Sequence, residues 1–177
     1  LSQTMAEGGT LIFSAGNGNA ITVSDIDVNE TVNGKLSINL TAQRGLLTLG
    51  QTTGLTFTIG DGYADTEMTF TGLPEALNNA LEGLQFTGPN VDFNTPSGGA
   101  STIEIITSDL GNTGSGGIKT DGSTINVTIN PVNDAPQNLI PIFQTVAEGG
   151  TLIFSSGNGN SITLSDIDVL ETAFGVL

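Results

Sequence analysis

The chain contains no cysteine, no histidine and no tryptophan among its 177 residues, and its one tyrosine is Tyr63. Without cysteine, disulfides and thiolate metal sites are excluded. Without histidine the usual general base is missing, and nucleophile–base pairs have almost no material. Paired carboxylates could in principle cleave glycosides, yet aromatic platforms for a sugar are scarce. No catalytic residue is assigned, and the chain is expected not to be an enzyme. Cations are scarce as well: Lys35, Arg44 and Lys119 stand against 18 Asp and Glu, for a formal charge of −15. Such a surface repels phosphate, so neither nucleic acid nor an anionic membrane surface is an expected partner. No apolar run reaches membrane length, so direct membrane insertion is not expected. No signal peptide is recognisable, and the segment reads as an internal piece of something longer.

What is abundant is turn and strand material. Twenty-five glycines accompany many Thr, Ser and Asn, a mix that predicts many short strands joined by turns. Leu36, Ile38 and Leu40 alternate with polar residues, as do Leu55, Phe57 and Ile59, Met68 and Phe70, Ile103 and Ile105, and Ile125, Val127 and Ile129. Each run offers one apolar and one polar face, as antiparallel strands wet on one side should. Turn signals separate them at Asn33-Gly34, at Gly60-Asp61-Gly62 and from Gly111 to Gly117. From Leu73 to Leu84 the apolar spacing changes to three and four, with Pro74 at the start, which predicts one short helix. The expected fold is an all-β antiparallel sandwich carrying that helix.

The strongest signal is internal. Gln3 to Val28 and Gln144 to Val169 are identical at 22 of 26 positions, at a constant offset of 141 residues. The exceptions are Met5/Val146, Ala15/Ser156, Ala20/Ser161 and Val23/Leu164. Such identity exceeds what packing two strands requires, so it records duplication. One near-complete copy is expected over residues 1–134, and a linker with the first strands of a truncated second copy over 135–177. In that second copy Leu152, Phe154, Ile162 and Leu164 are prepared for a core whose other strands are missing. Burying one such side chain stabilises by roughly 1.5–3 kcal/mol, so these strands are expected to order by docking on another surface, through strand exchange or edge pairing with a second chain.

Residues Ile105 to Pro136 read IITSDLGNTGSGGIKTDGSTINVTINPVNDAP. This stretch resembles the end of a cadherin repeat, in which an Asp-containing turn precedes a last strand and an Asp-x-Asn-Asp-x-Pro linker. Asp109 matches the turn, and Asn133, Asp134 and Pro136 match the linker; Pro131 and Ala135 depart from it. Asp25-Ile26-Asp27 and Asp166-Ile167-Asp168 look like the family's Asp-x-Asp motif, and Glu7 and Glu148 like the glutamate closing its first strand. Asp65-Thr66-Glu67 is the candidate for the family's Asp-x-Glu site. The nearest likeness is to the cadherin-like repeats, ending in Val-Asn-Asp-Ala-Pro, of large bacterial surface proteins. The resemblance implies a Greek-key sandwich of cadherin/immunoglobulin-like type and Ca2+ as cofactor. It also implies a secreted or cell-surface location, where the repeat acts as a rigidified spacer and in calcium-dependent adhesion.

By that resemblance, calcium is expected at the junction of the two copies, held by Glu7, Asn133, Asp134, Asp166 and Asp168, with Asp65 and Glu67 as additions. Asp25, Asp27 and Asp109 would form the matching site at the other end of copy one, and Glu148 the counterpart of Glu7. Calcium takes six to eight hard oxygens, so ligands must converge from several segments. The local alternative stays open for each motif: Asp-x-Asp is equally ordinary turn chemistry, and Asn133 to Pro136 alone is an ordinary linker. Expected partners are neighbouring repeats of the same chain, homophilic or strand-exchange contacts, and a glycan or other cell-surface ligand. A calcium-dependent carbohydrate-binding module of a secreted protein is the alternative function.

Overall fold

Alternating sequence becomes strand where the apolar side of the pleat can be covered, and the computed structural model places the strands accordingly. It describes residues 1–112 and 115–170. The middle of the expected 111–117 turn and the end of the expected second copy, 171–177, lie outside the described residues. The chain divides into two compact units, Leu1–Pro131 and Val132–Leu177.

In the first unit, nine strands form two sheets. They are β1 (Ser2–Ala6), β2 (Thr10–Phe13), β3 (Leu36–Gln43), β4 (Leu46–Thr48), β5 (Thr56–Ile59), β6 (Glu67–Gly72), β7 (Leu84–Thr87), β8 (Ser101–Ser108) and β9 (Thr120–Asn130). The larger sheet runs β1-β9-β8-β3-β6-β5 and the smaller β2-β7-β4. Leu36, Ile38, Leu40 and Ala42 of β3 are buried while Ser37, Asn39 and Thr41 are only half-covered. Met68 and Phe70 of β6, Ile103 and Ile105 of β8, and Ile125, Val127 and Ile129 of β9 are buried in the same core as Phe13, Leu47, Leu84 and Phe86 of the smaller sheet. The architecture is mostly β and sandwich-like.

Three details differ from the sequence expectation. First, β1 runs parallel to β9, from Ser2 opposite Asn126 to Ala6 opposite Asn130, whereas every other strand pair is antiparallel. No tight hairpin joins β1 to β9, so nothing forces an antiparallel approach. Second, there are two helices among the described residues, not one. The expected Leu73–Leu84 helix is α1 (Pro74–Leu81). It stops because Gly83 takes a left-handed φ of 84° and donates its N–H to the Phe13 carbonyl at 2.8 Å, an arrangement glycine adopts without steric cost. Leu84 then becomes the first residue of β7. The second helix, α2 (Thr95–Gly98), is one turn with Asn94 as N-cap and Pro96 in that turn. Third, Ile59 is half-exposed rather than in line with Phe57, because the β5–β6 register shifts between them. The extra residue of a bulge turns the following side chain out of the alternation.

The second unit is built from less. Strands β10 (Gln137–Leu139) and β11 (Thr163–Ser165) pair antiparallel, and 3-10 turns occupy Ser156–Asn158 and Ile167–Leu170. Phe154, Ile162 and Leu164 remain exposed and Leu152 half-buried.

Candidate metal-binding carboxylates

Within the second unit, the linker and the Asp-x-Asp pair come together. Asp166 accepts the Asp168 N–H on Oδ1 at 3.0 Å, a turn that opens the 3-10 segment beginning at Ile167. Asp168 in turn accepts the Asp134 N–H on Oδ2 at 2.6 Å. That contact joins residues far apart in sequence, and a carboxylate acceptor makes it short and strong. Asn133 lies beside it, donating its side-chain N–H to the Asp134 carbonyl at 3.1 Å. Asn133, Asp134, Asp166 and Asp168 thus form one connected group. Glu148 stands apart from it, exposed at the turn before Gly149, with no hydrogen bond to its carboxylate among the described residues.

In the first unit Glu7 follows the last residue of β1. Its N–H continues the parallel ladder by donating to the Asn130 carbonyl at 2.9 Å. The carboxylate is buried, and Asn94, itself 1% exposed, donates its side-chain N–H to Oε2 at 3.1 Å. The Asn94 oxygen accepts from the Ser97 N–H at 3.1 Å and from the Ser97 hydroxyl at 2.8 Å. One amide therefore caps α2 and orients Glu7. Thr95 anchors the same turn on β9, its hydroxyl accepting the Ile129 N–H and donating to the Ile129 carbonyl, both at 3.2 Å. A buried carboxylate is costly unless it is compensated, so this support is a requirement of the position.

Asp25 and Asp109 share an open cleft of about 660 Å³ with Lys119 and Asp121, yet both are occupied by local turns. Asp25 Oδ1 accepts the N–H groups of Asp27 and Val28, at 2.9 and 2.7 Å. Asp109 Oδ1 accepts those of Lys119 and Gly111, both at 2.8 Å. The Lys119 N–H first, then the Gly111 N–H, hold the Asp109 carboxyl below its ordinary value, since both bond to the charged form. Asp27 is exposed. No three carboxylates of the first unit's described residues converge closely enough to share an ion among themselves.

Asp65 and Glu67 are also engaged locally. Asp65 Oδ2 accepts from the N–H groups of Asp61 and Gly62 at 3.0 and 2.8 Å, closing its glycine-rich loop. That loop admits no side chain at Gly60, where a Cβ would lie 2.7 Å from the Asp65 carboxylate. Glu67 accepts from the Asn39 side chain at 3.0 Å, across the β3–β6 pair.

Sequence reasoning missed Asn94 and Asp121. Asn94 had a legible signal, since Asn followed two residues later by Pro marks a helix start. That its other end would reach Glu7, 87 residues earlier, had none. Asp121 sits in the polar first half of β9, where Thr120 to Thr124 are all exposed and nothing marks one residue above another. No family model, curated protein or solved structure matches the chain.

Proposed function

We propose that this chain is a calcium-rigidified repeat of a secreted or surface-anchored adhesin, with a Greek-key sandwich of the cadherin-like kind, working as a spacer and in calcium-dependent adhesion. The observation that carries the reading is the Asp134–Asp168 hydrogen bond, which joins the linker to the Asp-x-Asp pair within one unit. The carboxylates of Asp134 and Asp168 lie close enough to share one ion and repel each other as bare anions, and a divalent cation cancels that repulsion; Asp166 is the further ligand that the resemblance implies. Calcium is the hard cation that accepts several carboxylate and amide oxygens in irregular geometry. Asn133 adds an amide oxygen. In this reading Glu7 supplies the ligand from the first repeat, as the resemblance implies. Asp25, Asp27 and Asp109 play the corresponding part for a repeat preceding this one.

Extracellular modules use weak sites, with dissociation constants on the order of 10⁻⁴–10⁻³ M. At about a hundredfold excess of free calcium over that constant, linkage adds ~2.7 kcal/mol to stability. The test is thermal melting and small-angle scattering of a recombinant chain of two complete repeats, in calcium and in chelator. Calcium is expected to raise the melting temperature and stiffen the particle, and Asp134→Ala to remove most of both gains. Melting and scattering that do not change with calcium would overturn the reading.

A further inference from the structure

Three stretches of the chain have the form Asn-x-Thr with no proline between: Asn29-Glu30-Thr31, Asn39-Leu40-Thr41 and Asn126-Val127-Thr128. This is the acceptor form for an N-linked glycan, and it is usable where it sits on a surface loop with its amide free to react. The fold separates the three. Asn39 is in the middle of β3, and its amide donates to Glu67 Oε1 at 3.0 Å and to Thr69 Oγ1 at 2.8 Å, so both of its protons are engaged. Asn126 lies in β9 between β1 and β8, opposite Ser2 on one side and Thr102 on the other. Its backbone is held from both sides. Asn29 stands on a small protruding loop. Val28, buried, is where the chain leaves the core. It returns at Gly34, where an added Cβ would collide with the Val28 carbonyl oxygen, so the absence of a side chain lets the two ends of the loop close on each other. Within the loop the Glu30 N–H donates to the Asp27 carbonyl at 3.0 Å and the Gly34 N–H to the Thr31 carbonyl at 2.9 Å. Asn29, Glu30, Val32 and Asn33 are exposed, and the Asn29 side chain bonds to no described residue.

We propose that Asn29 is the acceptor of an N-linked oligosaccharide. The bond formed joins the Asn29 side-chain nitrogen to the anomeric carbon of the glycan. The bond broken is that carbon's link to the diphosphate of a lipid-linked donor, which leaves with the bonding pair. The nitrogen gives up one proton to a base of the transferase, so no oxidant or reductant takes part. An amide that already gives both protons to protein acceptors, as at Asn39, is held away from this reaction. The repeat supplies an internal control. At the offset of 141, Asp27-Val28-Asn29-Glu30-Thr31 becomes Asp168-Val169-Leu170-Glu171-Thr172, the same but for the asparagine. The second copy therefore offers no acceptor there, and one glycan per chain is expected. The proposal shares with the calcium reading only a location outside the cell.

The experiment incubates the folded chain with a purified oligosaccharyltransferase and its lipid-linked oligosaccharide, then reads intact mass and glycopeptides. A gain of one glycan's mass, mapped to Asn29, is expected. Asn29→Gln and Thr31→Val should each lose the gain, whereas Thr31→Ser, which keeps the hydroxyl, should retain it. The same reaction is run on a longer chain in which residues 1–141 stand once more before Leu1, in repeat register. There both copies of Asn29 should be modified, the second with a complete repeat ahead of it. No transfer, or transfer to Asn39 or Asn126 in place of Asn29, would overturn the proposal. So would a glycan confined to the leading copy of the longer chain. The readout is a mass and involves no calcium, so its failure leaves the calcium reading to its own test.

Discussion

Thr10–Phe13 and Thr151–Phe154 carry the same four residues, Thr-Leu-Ile-Phe, and have different structures. The first is strand β2, paired with β7 from Thr10 opposite Thr87 to Phe13 opposite Leu84. The second belongs to no strand. Phe13 is 1% exposed and Phe154 46%. The difference lies in the partner: β7 stands 74 residues beyond Thr10 in the first unit, and the second has no equivalent among its described residues. A strand fixes its backbone only against a neighbour that receives its hydrogen bonds and covers its apolar face.

The turns of the two copies behave in the opposite way. Asn19 Oδ1 accepts the Ser14 N–H at 3.0 Å, and Asn160 Oδ1 accepts the Ser155 N–H at the same distance. The Asn17 side chain donates to the Ile12 carbonyl at 3.0 Å, and that of Asn158 to the Ile153 carbonyl at 2.9 Å. Asn19 and Asn160 also donate to Gln3 and Gln144, at 3.1 and 2.8 Å. Gly18 and Gly159 take left-handed φ of 72° and 67°. The Asn-Gly-Asn segment, which reads as little more than a turn, is a small polar module that ties its own strand start to its strand end. It forms with or without a sandwich around it, because every partner is within reach along the chain.

The largest test of this contrast is the phenylalanine pair. Phe13→Ala should destabilise the chain by ~3–5 kcal/mol, the usual cost of emptying a buried aromatic site. Phe154→Ala should stay within about 0.5 kcal/mol, as for exposed substitutions. Urea unfolding of the two variants measures both, and equal costs would erase the distinction between the copies. A smaller effect is expected from the asparagines. Asn19→Ala and Asn160→Ala each remove a side-chain acceptor worth about 1 kcal/mol, and here the copies should agree. Amide exchange at Ser14 and Ser155 should speed up by similar factors, whereas a change at Ser14 alone would make the turn dependent on the sandwich.

The smallest effect concerns the loop closed by Asp109. The folded-state value of this carboxyl is depressed from the ordinary 3.8 by the Lys119 and Gly111 N–H groups. Its contribution is therefore fully present above the ordinary value and is lost as pH falls through the lower folded value. In chelator, the difference in melting temperature between wild type and Asp109→Asn should be constant from neutral pH to about 4 and shrink below it. A difference that instead shrinks between pH 5 and 7 would assign the dependence to another group.

Much of the sandwich was legible in the residues themselves. Leu36-Ser37-Ile38-Asn39-Leu40 has period two, and a strand buried on one face needs nothing else in its local code. The Leu73–Leu84 helix was legible except for its end, because Gly83 takes its stopping conformation with the Phe13 carbonyl as acceptor, a group 70 residues away. At the candidate site, the Asp-x-Asp turn at Asp166 was readable as turn chemistry. Its union with Asp134 was expected through a family resemblance and not through spacing.

Period, turn residues and the 141-residue repeat are properties of neighbours along the chain, and the sequence by itself determined them: which segments alternate, where glycine and asparagine bend the backbone, and that two regions share an origin. Only the tertiary structure decided which equal sequences become strands, that β1 lies parallel to β9, and that Asn94 holds Glu7. The physical reason is one of range. A turn closes on atoms a few residues away, whereas a strand's hydrogen bonds and a side chain's burial depend on groups that only the folded chain brings near.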